Sequence, residues 1–158
     1  MRKTSLLILL AISFSLFFLV NIAKSEELAD KETLVKNLVN EAVELINTQG
    51  QSGIEIISSE NGRFNTKDFY VFVTSETGAD LINPAFKEIE GMPLETYSEP
   101  ASKEAQIAIV NAVKDKDSAW VEYLWPKPGE TKPSKKSSYL RKIIVNGKIR
   151  IVGAGFYL

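Results

Sequence analysis

The 158-residue chain contains no cysteine and no histidine. Without cysteine there is no disulfide staple and no thiol chemistry, so stability has to come from packing. Without histidine the commonest general base, the commonest transition-metal ligand and the usual partner of a nucleophilic serine are missing together. An enzyme would have to use paired carboxylates or a lysine nucleophile, and the acidic residues show no spacing that singles out a pair. The sequence therefore predicts no catalytic residue, no metal site and no cofactor. Net charge is also small, with 19 basic against 20 acidic residues.

Long apolar runs are scarce as well: there is one, at the start. Arg2 and Lys3 precede an almost wholly apolar stretch from Ser5 to Val20, and Ala23-Lys24-Ser25 places small residues where a signal peptidase reads. The expectation is a signal peptide over residues 1–25 and one domain over residues 26–158, a size typical of a single core. The alternative is an uncleaved anchor, because Thr4 to Ala23 carries no charge and about 20 residues cross a bilayer. Either reading puts the domain outside the cytoplasm: periplasmic or secreted, or membrane-anchored by residues 4–23. Losing Arg2, Lys3 and Lys24 from the 19 basic residues leaves 16 against 20 acidic ones, a balance that argues against nucleic acid as a partner.

Between Leu28 and Ile46 the residues Leu28, Leu34, Val35, Leu38, Ala42, Leu45 and Ile46 recur at helical spacing. Asp30 is the expected N-cap, and Gly50 and Gly53 are the expected stop. Asp68 to Thr74 (DFYVFVT) is rich in aromatic and β-branched residues and predicts a central strand. A turn at Gly78-Ala79-Asp80 and an irregular stretch through Gly91, Pro93 and Pro100 follow. Ser102 to Lys114 predicts a second helix capped by Ser102, with Ala105, Ile109, Ala112 and Val113 facing inward. Three strands follow: Ala119 to Trp125, Ser137 to Val145 and Lys148 to Leu158. Asn146-Gly147 joins the last two as a hairpin, because both positions of such a turn need positive φ. Pro126 to Lys136 reads as an exposed loop between the first two. The order of elements gives an α+β domain with helices packed on an antiparallel sheet.

Charge is unevenly placed: all but one of the 20 acidic residues precede Lys127, and Glu130 alone faces eight cations in the last third. Side chains alternate along a strand, so Val121, Tyr123 and Trp125 share one face, as do Tyr139 and Arg141. If those two faces coincide, two phenols, an indole and a guanidinium converge on a patch suited to a small carboxylate. Ordinary core filling is the competing explanation for the aromatic set. Gly153-Ala154-Gly155 lacks the third glycine and the following helix of a dinucleotide site, and reads instead as close backbone approach.

The segments NGRFNTKDFYVFV (Asn61 to Val73), LINP (Leu81 to Pro84), WVEYLWPKPG (Trp120 to Gly129), KSSYLRK (Lys136 to Lys142) and VGAGFYL (Val152 to Leu158) occur in an order and spacing that resembles the single Cache domain, Cache 2 type. The resemblance runs from about Asp30 to the C-terminus. It implies a PAS-like antiparallel sheet, a long N-terminal helix and a second helix packed on the sheet. It also implies a pocket for small molecules, frequently short organic acids, in the sensor part of chemoreceptors and related transducers. By position, Tyr70, Tyr123, Trp125, Lys136, Tyr139 and Arg141 become candidate ligand-binding residues. Asn83 joins them where the family often has histidine, and Leu124 stands where a basic residue is common. With Tyr157-Leu158 last, the expectation is a stand-alone sensor acting in signal transduction or chemotaxis through a membrane partner protein, with a homodimer through the first helix. A structural or protein-interaction module without a small-molecule ligand is the alternative.

Overall fold

In a computed structural model of the chain, the described residues are 2–59, 62–66 and 69–158, with side chains described from residue 22 onward. The chain divides into two compact units, one ending at Thr33 and one from Leu34 to Leu158. The first is helix, braced where side chains are described by a Lys31–Glu27 pair at 2.6 Å, one turn apart. The apolar run from Thr4 lies almost entirely outside the residues whose side chains are described. Among the described residues no helix is long and apolar enough to cross a membrane.

The helix α1 spans Arg2–Gln49 without a break. Asp30 therefore lies inside it and caps nothing, correcting the expected start. Its last four turns bury Val35, Val39, Ala42, Val43 and Ile46, while Leu28 and Leu34 stay exposed. The helix ends at Gly50, whose φ of 56° turns the chain into α2, Gln51–Ile57. Gly53 does not stop a helix as expected. It sits inside α2 against the backbone of Leu45 and Ile46, where a β-carbon would collide.

The five strands are β1 (Val71–Ser75), β2 (Asp80–Ile82), β3 (Ser118–Pro126), β4 (Pro133–Val145) and β5 (Lys148–Tyr157). They form one antiparallel sheet in the order β2-β1-β5-β4-β3, the expected PAS-like α+β arrangement. The predicted strand Asp68 to Thr74 begins later: Asp68 lies outside the described residues, and Tyr70 makes only an isolated bridge to Asn65. Asp80, expected in a turn, opens β2. β3 and β4 extend into the predicted loop and shorten it to residues 127–132. Asn146 and Gly147 have φ of 51° and 74°, as the hairpin requires.

Alternation gives the sheet two apolar faces. Val71, Val73, Val152, Ala154, Phe156 and Ile143 pack under α1 and α2, with Trp120 and Tyr139 at the margin. On the other face Tyr70, Phe72, Leu140, Ile151 and Trp125 meet Ala105, Ile109 and Val113. Most of that second layer comes from α3, Pro100–Ala112, which starts with Pro100 in its first turn and is not capped by Ser102. Fixed φ and a dispensable N–H make proline suited to that position. Fully burying each large apolar side chain contributes about 1.5–3 kcal/mol, which is how two layers hold a cysteine-free sheet.

Candidate functional site

The second face is not solid. Tyr70, Phe72, Asp80, Asn83, Gln106, Ile109, Tyr123, Trp125 and Lys136 line a small, partly open hollow with a free volume of about 10 Å³. That is far below the usual range for drug-sized ligands, so a guest larger than a water molecule or two enters only as the lining side chains move. Antiparallel pairing builds its floor, with Tyr123 opposite Lys136 and Trp125 opposite Ser134. Phe86 stands edge-on to Trp125 at 5.8 Å and to Tyr70 at 6.2 Å, and Tyr123 meets Trp125 at 6.3 Å.

Two opposite charges are buried here. Lys136 is 1% exposed, and its Nζ lies 3.9 Å from the centre of the Tyr70 ring and 5.4 Å from those of Phe72 and Tyr157. Ring faces attract a cation, but no carboxylate among the described residues closes an ion pair with it. Burial lowers its pKa to about 7, against the favourable charge of Asp80. Asp80 is fully buried, and burial raises its carboxyl to about 6. Donors oppose that rise: Gln106 Nε2 at 2.9 Å, Asn83 Nδ2 and the Tyr97 hydroxyl at 3.2 Å, all to Oδ2, and Thr74 Oγ1 to Oδ1 at 3.4 Å. Asp80 is thus a satisfied internal anion that ties β2 to α3 and the intervening segment.

Three buried polar atoms at this hollow find no partner among the described residues: Tyr70 Oη, Trp125 Nε1 and Asn83 Oδ1. The Tyr157 hydroxyl lies near Tyr70 Oη, yet donates to Pro126 O at 2.5 Å and closes no well-formed bond with Tyr70. The Tyr123 hydroxyl is engaged by Ser138 Oγ at 2.8 Å. Leaving a buried donor or acceptor unmade costs about 1–3 kcal/mol. Three at one small hollow are groups that an ordered water or a polar guest can satisfy.

Of the seven candidate residues, Tyr70, Asn83, Tyr123, Trp125 and Lys136 converge here. Tyr139 and Arg141 do not, which corrects the expected patch. Tyr139 pairs with Trp120 and Arg141 with Ser118, so both point through the opposite face. There Arg141 Nη1 donates to Asn40 Oδ1 at 3.2 Å, and Lys36 Nζ lies 5.7 Å from the centre of the Tyr139 ring. The permanent cation expected in the hollow is replaced by a lysine that can lose its proton. Asp80, Phe72, Gln106 and Ile109 were not anticipated. Gln106 was legible, since it precedes Ile109 and Val113 by three and seven residues on one helical stripe. Asp80 was hidden behind a glycine turn signal.

Comparison with known proteins agrees with this geometry. The sequence profile of the Cache domain family matches residues 58–158. A solved periplasmic sensor domain of a chemotaxis protein is 26% identical with a TM-score of 0.67, covering 83% of this chain and 97% of its own. A second structure, described as the structural basis for carboxylic acid recognition by a Cache chemosensory domain, is 24% identical with the same TM-score and covers 85% of this chain and 97% of its own. A methyl-accepting chemotaxis protein from Vibrio parahaemolyticus is 18% identical with a TM-score of 0.65, covering 84% and 92%. At those lower identities the last two are alike in fold.

Proposed function

Since the chain belongs to the Cache domain family, we propose that it is a sensor domain that binds a short carboxylate in the hollow around Lys136 and acts outside the cytoplasm. The observation that carries the reading is the buried ammonium of Lys136, without an ion pair among the described residues, beside the idle donors Tyr70 Oη and Trp125 Nε1. An ammonium, a phenol and an indole N–H all seek lone pairs, and a carboxylate offers about four in a group of three atoms. In a hollow walled by aromatic rings each such bond is stronger than in water. Two similar structures, a periplasmic chemotaxis sensor and a carboxylic-acid-recognising Cache domain, favour the same ligand class and location.

Strand β4 supplies the route from ligand to output. Its residues Lys136, Ser138 and Leu140 face the hollow side, while Tyr139 and Arg141 face Lys36 and Asn40 of α1. A carboxylate that draws Lys136 toward it shifts the same strand that α1 rests on. A membrane signalling partner would read that shift.

The test is thermal melting with formate, acetate and propanoate. A ligand at 100 times its Kd stabilises the folded state by about 2.7 kcal/mol, so melting should rise with ligand concentration. Lys136→Met should abolish the rise while the protein stays folded. A flat response to all three, and to larger acids, would favour an interaction module with an unfilled hollow.

A further inference from the structure

We infer that Asn83 selects a hydroxyl group, so that the ligand of this hollow is a short hydroxycarboxylate in preference to a plain carboxylate or an amino acid. The inference rests on the assignment of a carboxylate to Lys136 and adds the second half of the ligand. Asn83 is 2% exposed, and its Oδ1 is the one acceptor among the three unpartnered buried atoms. The orientation of its amide is settled by its neighbour. Asp80 Oδ2 lies 3.2 Å from Nδ2, and an ionised carboxylate only accepts, so the amide nitrogen must face it and the oxygen must face away. The backbone N–H of Asn83 is already committed to Glu90 Oε1 at 2.7 Å, which holds the residue in place.

Three of the donors nearby are engaged elsewhere, and the other three, on Lys136, Tyr70 and Trp125, face the carboxylate assigned above. Gln106 Nε2 and the Tyr97 hydroxyl are engaged with Asp80 Oδ2, and the Tyr123 hydroxyl with Ser138. A plain carboxylate would satisfy Lys136, Tyr70 and Trp125 and still leave the Asn83 carbonyl desolvated without a donor. A hydroxyl on the same short ligand supplies that donor. An ammonium is also a donor, but it would add a second cation to a small hollow that already holds the buried Lys136. Its natural counter-charge, Asp80, already accepts four hydrogen bonds. A hollow this small limits the guest to a chain of a few carbons, admitted as the lining side chains move.

Calorimetry on the purified full chain with a matched series decides the matter: propanoate, both enantiomers of 2-hydroxypropanoate, 3-hydroxypropanoate and alanine. At least one hydroxy acid should bind ten- to a hundredfold more tightly than propanoate, and alanine more weakly than that hydroxy acid. In Asn83→Ala the preference of hydroxy acid over propanoate should shrink to about twofold. Melting of the variant checks that it is folded, and if it is not, the wild-type ratio alone decides. Equal affinities for propanoate and every hydroxy acid would overturn the selection while leaving the carboxylate site standing. Tightest binding by alanine would overturn the choice of hydroxyl. Failure of the whole series to bind would remove both the selection and the carboxylate reading beneath it.

Discussion

Lys136 and Asp80 place a titratable cation and a titratable anion in one dry layer, and their shifts have opposite signs. The carboxyl of Asp80 is raised from 3.8 to about 6, so its contribution to stability is full below the unfolded value and is lost as pH rises through 6. The ammonium of Lys136 is lowered from 10.5 to about 7, so its contribution is present above the unfolded value and is lost as pH falls through 7. Unliganded protein should therefore show a shallow minimum of stability between about pH 6 and 7. Urea midpoints should climb from there to pH 9.5 in the wild type, and the climb should be absent in Lys136→Met. An identical climb in that variant would mean Lys136 is charged throughout. The same proton sets ligand affinity: a carboxylate needs the ammonium form, so binding should weaken above about pH 7.

At the scale of elements, β5 packs closely against its neighbours at two glycines. A β-carbon at Gly153 would run into the Phe72 ring and the Leu140 side chain, and one at Gly155 into Ser138 and the carbonyl of Ser137. Ser138 is also the partner of the Tyr123 hydroxyl at 2.8 Å. Gly155→Ala should push Ser138 aside, release Tyr123 and cost about 1–3 kcal/mol, as overpacking does. Chemical denaturation measures the loss, and weaker ligand binding should accompany it because Tyr123 lines the hollow. Stability equal to that of the wild type would mean that the two strands separate without strain.

Across the whole molecule, one sheet serves two purposes because its faces are chemically different. The hollow lies on the α3 face, and the contacts of Tyr139 and Arg141 lie on the α1 face. Tyr139→Phe with Arg141→Ala should therefore leave carboxylate affinity within about twofold of the wild type, measured by calorimetry. A loss of tenfold or more would place the guest somewhere other than the hollow. Arg141 is half-buried and makes a solvent-exposed hydrogen bond to Asn40, so losing that bond should change stability little.

Much of this architecture was legible in local pattern. Helical spacing located α1 and α3, alternation located the β3–β5 meander, and Asn146-Gly147 declared its hairpin, because each depends on residues close in sequence. Alternation even sorted each strand into its two faces correctly. What remained for tertiary structure was which face of β3 lies beside which face of β4. That depends on pairing register, and a shift of one residue reverses every side chain. With residues 127–132 as the connection, Tyr123 meets Lys136 and Trp120 meets Tyr139. Lysine therefore fills the place that arginine was expected to take. Asp80 and Gln106 were likewise given meaning only by folding, since a buried anion is recognisable only by the donors gathered round it, and these come from positions 74, 83, 97 and 106.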